Sequence, residues 1–137
     1  MIILDTNVVS ELMRGPHADP VVIRWSRHLV ERPWTSAITR GEIMAGIAGV
    51  PRGERRNAMA AAAREVLAKL AGVLPYSDES TDAFAAIVAS RRGLHLRVDP
   101  VDAQIAAIAL TYGATVATRN TKDFDGIGLT LVDPWGS

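Results

Sequence analysis

The sequence encodes an α/β domain: a mostly parallel sheet of four to five short strands flanked by helices. Short apolar runs that read as buried strands alternate along the chain with longer segments whose apolar residues recur at helical spacing. Such alternation belongs to a parallel sheet covered on both faces. No linker, repeat or composition break interrupts the pattern. With ~100–200 residues typical of one domain, residues 1–137 read as a single domain.

Each element follows from local signals. Ile2-Ile3-Leu4 is an apolar run stopped by Asp5, the pattern of a buried parallel strand. Residues 6–13 read as a helix that Gly15-Pro16 breaks. Residues 20–29 carry Val21, Val22, Trp25 and Leu29 at helical spacing, and 33–36 form a short extended segment. A helix over 39–48 turns Ile43, Met44 and Ile47 inward, and Gly49 and Pro51 end it. Residues 53–71 make the longest helix, with Met59, Ala63, Val66, Leu67 and Leu70 as its apolar stripe. A strand at 73–75 and a helix over 82–92 follow. The very apolar helix over 100–112 is expected at the centre of the fold, with Gly113 as its cap. Residues 115–118 form a strand, 119–128 a loop and 129–132 the last strand.

Composition narrows the chemistry. Hydrophobic residues make up 48% and charged residues 22%, the balance of a folded globular domain. With no cysteine, disulfides, zinc–thiolate sites and cysteine nucleophiles are excluded. The 15 basic and 15 acidic residues cancel, so there is no basic coat for nucleic acid. Residues 1–72 hold ten basic and seven acidic side chains and residues 73–137 five and eight, which points to separate basic and acidic surfaces. No run reaches the ~18 apolar residues of a membrane span, and MIILDTN is a poor signal peptide. The expectation is a soluble cytoplasmic protein with no membrane partner.

In an open parallel sheet, ligands bind beyond the carboxyl ends of the strands. Asp5 ends the first strand. Thr118 ends the strand over 115–118, with Arg119-Asn120-Thr121-Lys122-Asp123 after it. Glu42 and Asp102 are expected in the first turns of helices packed on that sheet. Asp5, Glu42, Asp102 and Asn120 can then meet in one pocket. Each also has a plain structural reading. Asp5 can cap the first helix. Thr39-Arg40-Gly41-Glu42 matches the S/T-x-x-E capping box. Asp99-Pro100-Val101-Asp102 reads as N-cap, Pro at N1 and an acid at N3, and Asn120 fits a turn. His17, His28 and His95 lack metal-ligand spacing. Trp25, Trp34 and Trp135 suit packing better than base stacking. No glycine-rich phosphate loop is present.

The local contexts, in order, are Ile3-Leu4-Asp5-Thr6-Asn7, then Ser36-Ala37-Ile38-Thr39 with Glu42, then Asp102-Ala103 with Ile105-Ala106-Ala107, then Ala117-Thr118-Arg119-Asn120 with Asp123-Phe124, and Asp133-Pro134-Trp135 at the end. Over essentially the whole chain this resembles the PIN domains, and within them the VapC and FitB toxin ribonucleases. The resemblance implies a single PIN domain over 1–137 and a metal-dependent endoribonuclease that is the toxin of a toxin–antitoxin pair. It also implies an RNA substrate such as tRNA, a separate cognate antitoxin protein, and a homodimer. Asp5, Glu42 and Asp102 would bind Mg²⁺ or Mn²⁺. The family's fourth acidic position falls where Asn120 stands, with Asp123 three residues on; either side chain can complete the site.

The residues agree with that reading. Clustered carboxylates raise one another's pKa, and a divalent cation removes the conflict. Hard oxygen ligands suit Mg²⁺ or Mn²⁺ rather than zinc, and a metal-activated water can hydrolyse a phosphodiester. Asp5 and Asp102 are expected to hold the metal most directly, with Glu42 acting through water. Thr6, Asn7, Thr118 and Asp123 would stand behind them as hydrogen-bonding partners, and Arg119 and Lys122 would hold substrate phosphate. Two other functions fit parts of the pattern. One is a haloacid-dehalogenase-like phosphotransferase using Asp5, although Asn7 stands where that D-x-D pattern needs an acid. The other is a non-catalytic PIN-fold nucleic-acid-binding protein.

Overall fold

A computed structural model describes residues 1–136. Five parallel strands, β1 (Ile2–Leu4), β2 (Trp34–Ser36), β3 (Gly72–Leu74), β4 (Thr115–Ala117) and β5 (Leu131–Val132), form one sheet in the order β3-β2-β1-β4-β5. Among the described residues, six α-helices connect them: α1 (Thr6–Met13), α2 (Pro20–Arg27), α3 (Ala37–Ala48), α4 (Glu54–Lys69), α5 (Asp78–Gly93) and α6 (Pro100–Tyr112). The expected architecture is therefore present, with every strand pair parallel.

Alternation along β1 divides the core. Adjacent strand residues point to opposite faces. Ile3 joins Val116, Leu74 and Phe124 under α5 and α6, while Leu4 joins Ala117, Val8, Val9 and Ile43 under α1, α3 and α4. Helix α6 is buried from Ile105 to Ala109, as its composition predicts. It ends at Gly113, whose φ of +65° is the left-handed conformation that glycine adopts without a Cβ penalty. Since β1 neighbours β2 on one side and β4 on the other, the strand order reverses at β1. The crevice beyond β1 and β4 is the place where such sheets bind ligands.

Several boundaries differ from the sequence expectation, and three of the differences have a clear physical reason. Helix α3 begins at Ala37 rather than Thr39, because β2 runs straight into it. Ser36, still extended, caps the helix by accepting from the Thr39 N–H at 3.0 Å. The Thr39/Glu42 capping box is thus absent: Thr39 is at N3 and Glu42 lies in the second turn rather than the first. Helix α5 begins at Asp78 instead of 82, because Ser77 and Ser80 form a reciprocal capping box. Strand β5 shrinks to two residues, with Gly126 and Gly128 at positive φ just before it. The loop over 119–128 contains a 3-10 turn, Thr121–Phe124, anchored by buried Phe124. His17, His28 and His95 are exposed. Trp25 and Trp34 pack against the two core clusters. No helix among the described residues is long and apolar enough to cross a membrane.

Candidate active site

The crevice beyond β1 and β4 is organised around Asp5. This buried residue follows the first strand and caps α1, its Oδ1 accepting from the Thr6 N–H at 2.8 Å. Its Oδ2 accepts from Thr118 Oγ1 at 2.7 Å and from Asn7 Nδ2 at 3.4 Å. Thr118, just past β4, also accepts from Asn7 Nδ2 at 3.3 Å and from the Asn120 N–H at 3.1 Å. Asn7 Oδ1 in turn accepts from the Arg119 N–H at 3.3 Å. The start of α1 and the loop after β4 are thereby stitched together across more than a hundred residues of sequence. Burial pushes the Asp5 carboxyl above its usual range; bonds from Thr118 and Thr6 oppose that, and the charges of Glu42 and Asp123 add to it.

Glu42 arrives from α3. Its Oε1 accepts from Thr6 Oγ1 at 2.5 Å, and Thr6 Oγ1 also lies 3.1 Å from the buried Thr39 hydroxyl. Thr39 and Glu42 are three apart on the helix, so both face α1. The side chain of Glu42 is otherwise exposed.

Asp102 is at N3 of α6, as the sequence predicts. Asp99 caps that helix, its Oδ1 accepting from the Val101 and Asp102 N–H groups at 2.9 and 3.1 Å. Among the described residues no donor reaches the Asp102 carboxylate. Burial pushes its pKa up to about 7, with further increments from Asp99, Asp5, Asp123 and Glu42. Asp123, on the 3-10 turn, lines a small cavity of about 70 Å³ with Asp99, Asp102, Arg91 and Arg97. Asp5 thus feels the charges of Glu42 and Asp123, and Asp102 feels those of Asp5, Asp123 and Glu42.

Not every candidate joins them. The Asn120 side chain is exposed and makes no hydrogen bond among the described residues; only its backbone N–H is tied in. Arg119 lies with its guanidinium carbon 4.8 Å from the centroid of the Trp135 ring, and Lys122 is exposed. Sequence reasoning missed two contributors. Ser36 was hidden because the strand passes into the helix without a loop, though Ser-x-x-Thr is itself a cap signal. Arg91 looked like an ordinary basic residue in a last helical turn, yet it is buried beside the acids.

The donor set can be tested against a metal. It consists of carboxylate and hydroxyl oxygens only, which fits a hard divalent cation and not zinc. Among the described residues no three carboxylates or histidines close into a ready-made cage.

A sequence profile of the PIN domain family matches residues 2–128. A VapC ribonuclease, Y4jK, of Sinorhizobium fredii is 38% identical over 98% of both chains. Toxin FitB of Neisseria gonorrhoeae is 33% identical over 98% of this chain and 99% of its own. Among solved structures, the crystal structure of FitAcB from Neisseria gonorrhoeae superimposes with a TM-score of 0.88 at 31% identity, over 98% of this chain and 99% of that one.

Proposed function

This chain belongs to the PIN domain family, and on that premise we propose that it is a metal-dependent endoribonuclease acting as the toxin of a toxin–antitoxin pair. One observation carries the reading: Asp5 follows β1, and Glu42 from α3, Asp102 from α6 and Asp123 from the 3-10 turn lie near enough for their charges to act on it or on one another, with Asp102 and Asp123 lining one cavity. Relatives whose names are ribonuclease and toxin cover the same length of chain.

Asp5 and Asp102 would hold the cation, and Glu42 would act through water. When bound, Mg²⁺ or Mn²⁺ supplies a Lewis acid and lowers the pKa of water at the scissile phosphate. The chain's own residues do the positioning. Thr6, Asn7 and Thr118 fix the orientation of Asp5, and Thr6 aims Glu42 into the crevice. Asp123, rather than Asn120, completes the acidic set, since its charge bears on both Asp5 and Asp102. Arg119, steadied on the Trp135 ring, and Lys122 offer positive charge to the RNA backbone.

A toxin of this kind acts in the cytoplasm, where its RNA is, and must be held inactive by a cognate antitoxin. A groove of about 620 Å³ lined by Met13, Ile43, Ile47 and Met59 runs between α1, α3 and α4 to Thr6 and Glu42. That supports a partner segment covering the site. We include a homodimer in the proposal, by the same family likeness.

The test is direct. Purified protein incubated with total tRNA should cleave it with Mg²⁺ or Mn²⁺ and stop with EDTA. Asp5→Asn and Asp102→Asn should each lower the rate by about a hundredfold or more. Undiminished cleavage in EDTA, or by both variants, removes the proposal.

A further inference from the structure

We propose that Arg91 is the positioning residue that sets the spacing of Asp102 and Asp123. The inference rests on reading the crevice as a cation site. Arg91 sits in the last turn of α5 and is buried, an expensive place for a charge unless its hydrogen bonds are satisfied. Its Nε donates to the Arg97 carbonyl at 2.8 Å, and its Nη1 to the Asp125 carbonyl at 2.6 Å. The first carbonyl belongs to the segment leading into Asp99 and Asp102. The second belongs to the loop that carries Asp123. One guanidinium therefore ties together the two loops that deliver these acids.

Neighbouring bonds reinforce the bracket. The Leu96 N–H donates to the Arg91 carbonyl at 2.8 Å, and Ser90 Oγ donates to the Gly126 carbonyl at 2.7 Å. Gly126 has a φ of +77°, and a Cβ there would fall 2.6 Å from Leu94 Cδ1, so the loop is seated against the end of α5. What Arg91 does not do is equally informative. It shares a small cavity with Asp99, Asp102 and Asp123, yet among the described residues it forms no ion pair. An arginine clamped on Asp102 or Asp123 would neutralise that acid and occupy the oxygens a cation needs. Bonded to carbonyls, it fixes the backbone on both sides and leaves the carboxylates free. A guanidinium reaches the two carbonyls from separate nitrogens with donors in fixed directions, whereas a lysine ammonium donates all its bonds from one nitrogen.

A purely structural brace and a positioning residue separate on cation affinity. Mn²⁺ binding to the full chain would be titrated by the EPR signal of free Mn²⁺, well below each protein's melting temperature. The proteins are wild type, Arg91→Lys, Arg91→Met and Ser90→Ala, with melts in EDTA alongside. The expected result is Mn²⁺ affinity weakened about tenfold or more in Arg91→Met. Arg91→Lys, the variant more certain to fold, should lie between it and wild type. Ser90→Ala, which loses a bond to the same loop but keeps the fork, should bind within about threefold of wild type. If the Arg91 variants melt earlier but bind Mn²⁺ as wild type does, Arg91 is only a brace and the proposal is wrong. If wild type itself binds no Mn²⁺, the cation reading fails first and takes this inference with it.

Discussion

The two sides of the crevice are built on opposite principles. On the β1 side the acids are held by hydrogen bonds: Asp5 accepts from three donors, and Thr6 links Thr39 to Glu42. On the α6 side, Asp99, Asp102 and Asp123 face one another, no donor among the described residues reaches Asp102, and Arg91 spends its hydrogen bonds on carbonyls. The first side is preformed by hydrogen bonding and stands by itself. The second holds unresolved repulsion that a cation would relieve. Acids that look equivalent in the sequence are therefore not equivalent in the fold.

The largest effect that sharpens this contrast is on thermal stability. At 100 times the dissociation constant, Mn²⁺ should stabilise wild type by about 2.7 kcal/mol, roughly 9 °C for a chain of this size. Asp5→Asn and Asp102→Asn should both reduce that gain. In EDTA at pH 8 they should part company. Asp102→Asn removes repulsion and breaks no bond, so it should melt higher than wild type. Asp5→Asn sets an amide N–H₂ against the Thr118 and Asn7 donors inside the protein, and should lose about 1–3 kcal/mol. Melts of the three proteins with and without Mn²⁺ check this; equal shifts in EDTA would erase the distinction.

A smaller effect follows from protons. In the metal-free protein, burial pushes the Asp102 pKa from 3.8 up to about 7. Its folded form holds the proton more tightly than its unfolded form. That contribution is fully present below pH ~4 and is lost as pH rises through about 7. Stability in EDTA should fall from pH 5 to pH 8 by about 1–2 kcal/mol, after allowing for solvent screening at this half-buried group. Asp5, shifted in the same direction, adds to the fall. Urea titrations at both pH values measure it, and Asp102→Asn should flatten the slope.

Much of this was legible beforehand because it is local. Ile2-Ile3-Leu4 before Asp5, and Asp99-Pro100-Val101-Asp102, announce a strand end and a capped helix in four residues each, and both stand as read. What the sequence hid is long-range. The sequence matches the fourth position best to Asn120, with Asp123 three residues on, and only the 3-10 turn over buried Phe124 sets Asp123 beside Asp99 and Asp102 and leaves the Asn120 side chain outside. Arg91 acts through carbonyls six and thirty-four residues away, which no spacing rule anticipates.

The smallest effect concerns the helix that delivers Glu42, where two capping assignments compete. Thr39-x-x-Glu42 fits the capping pattern in sequence, but Ser36 accepts from the Thr39 N–H and is itself fully buried. Ser36→Ala should therefore cost about 0.5–2 kcal/mol, the usual loss of a cap. Glu42 is exposed in the second turn, and glutamine retains the Oε1 that accepts from Thr6. Glu42→Gln should then change stability by no more than about 0.5 kcal/mol, as surface substitutions do. Urea unfolding of the two variants decides the matter. A Glu42→Gln protein as weak as Ser36→Ala would mean that the carboxylate ties down α3 after all. A stable Glu42→Gln protein that no longer cleaves RNA would leave that charge nothing to do but chemistry.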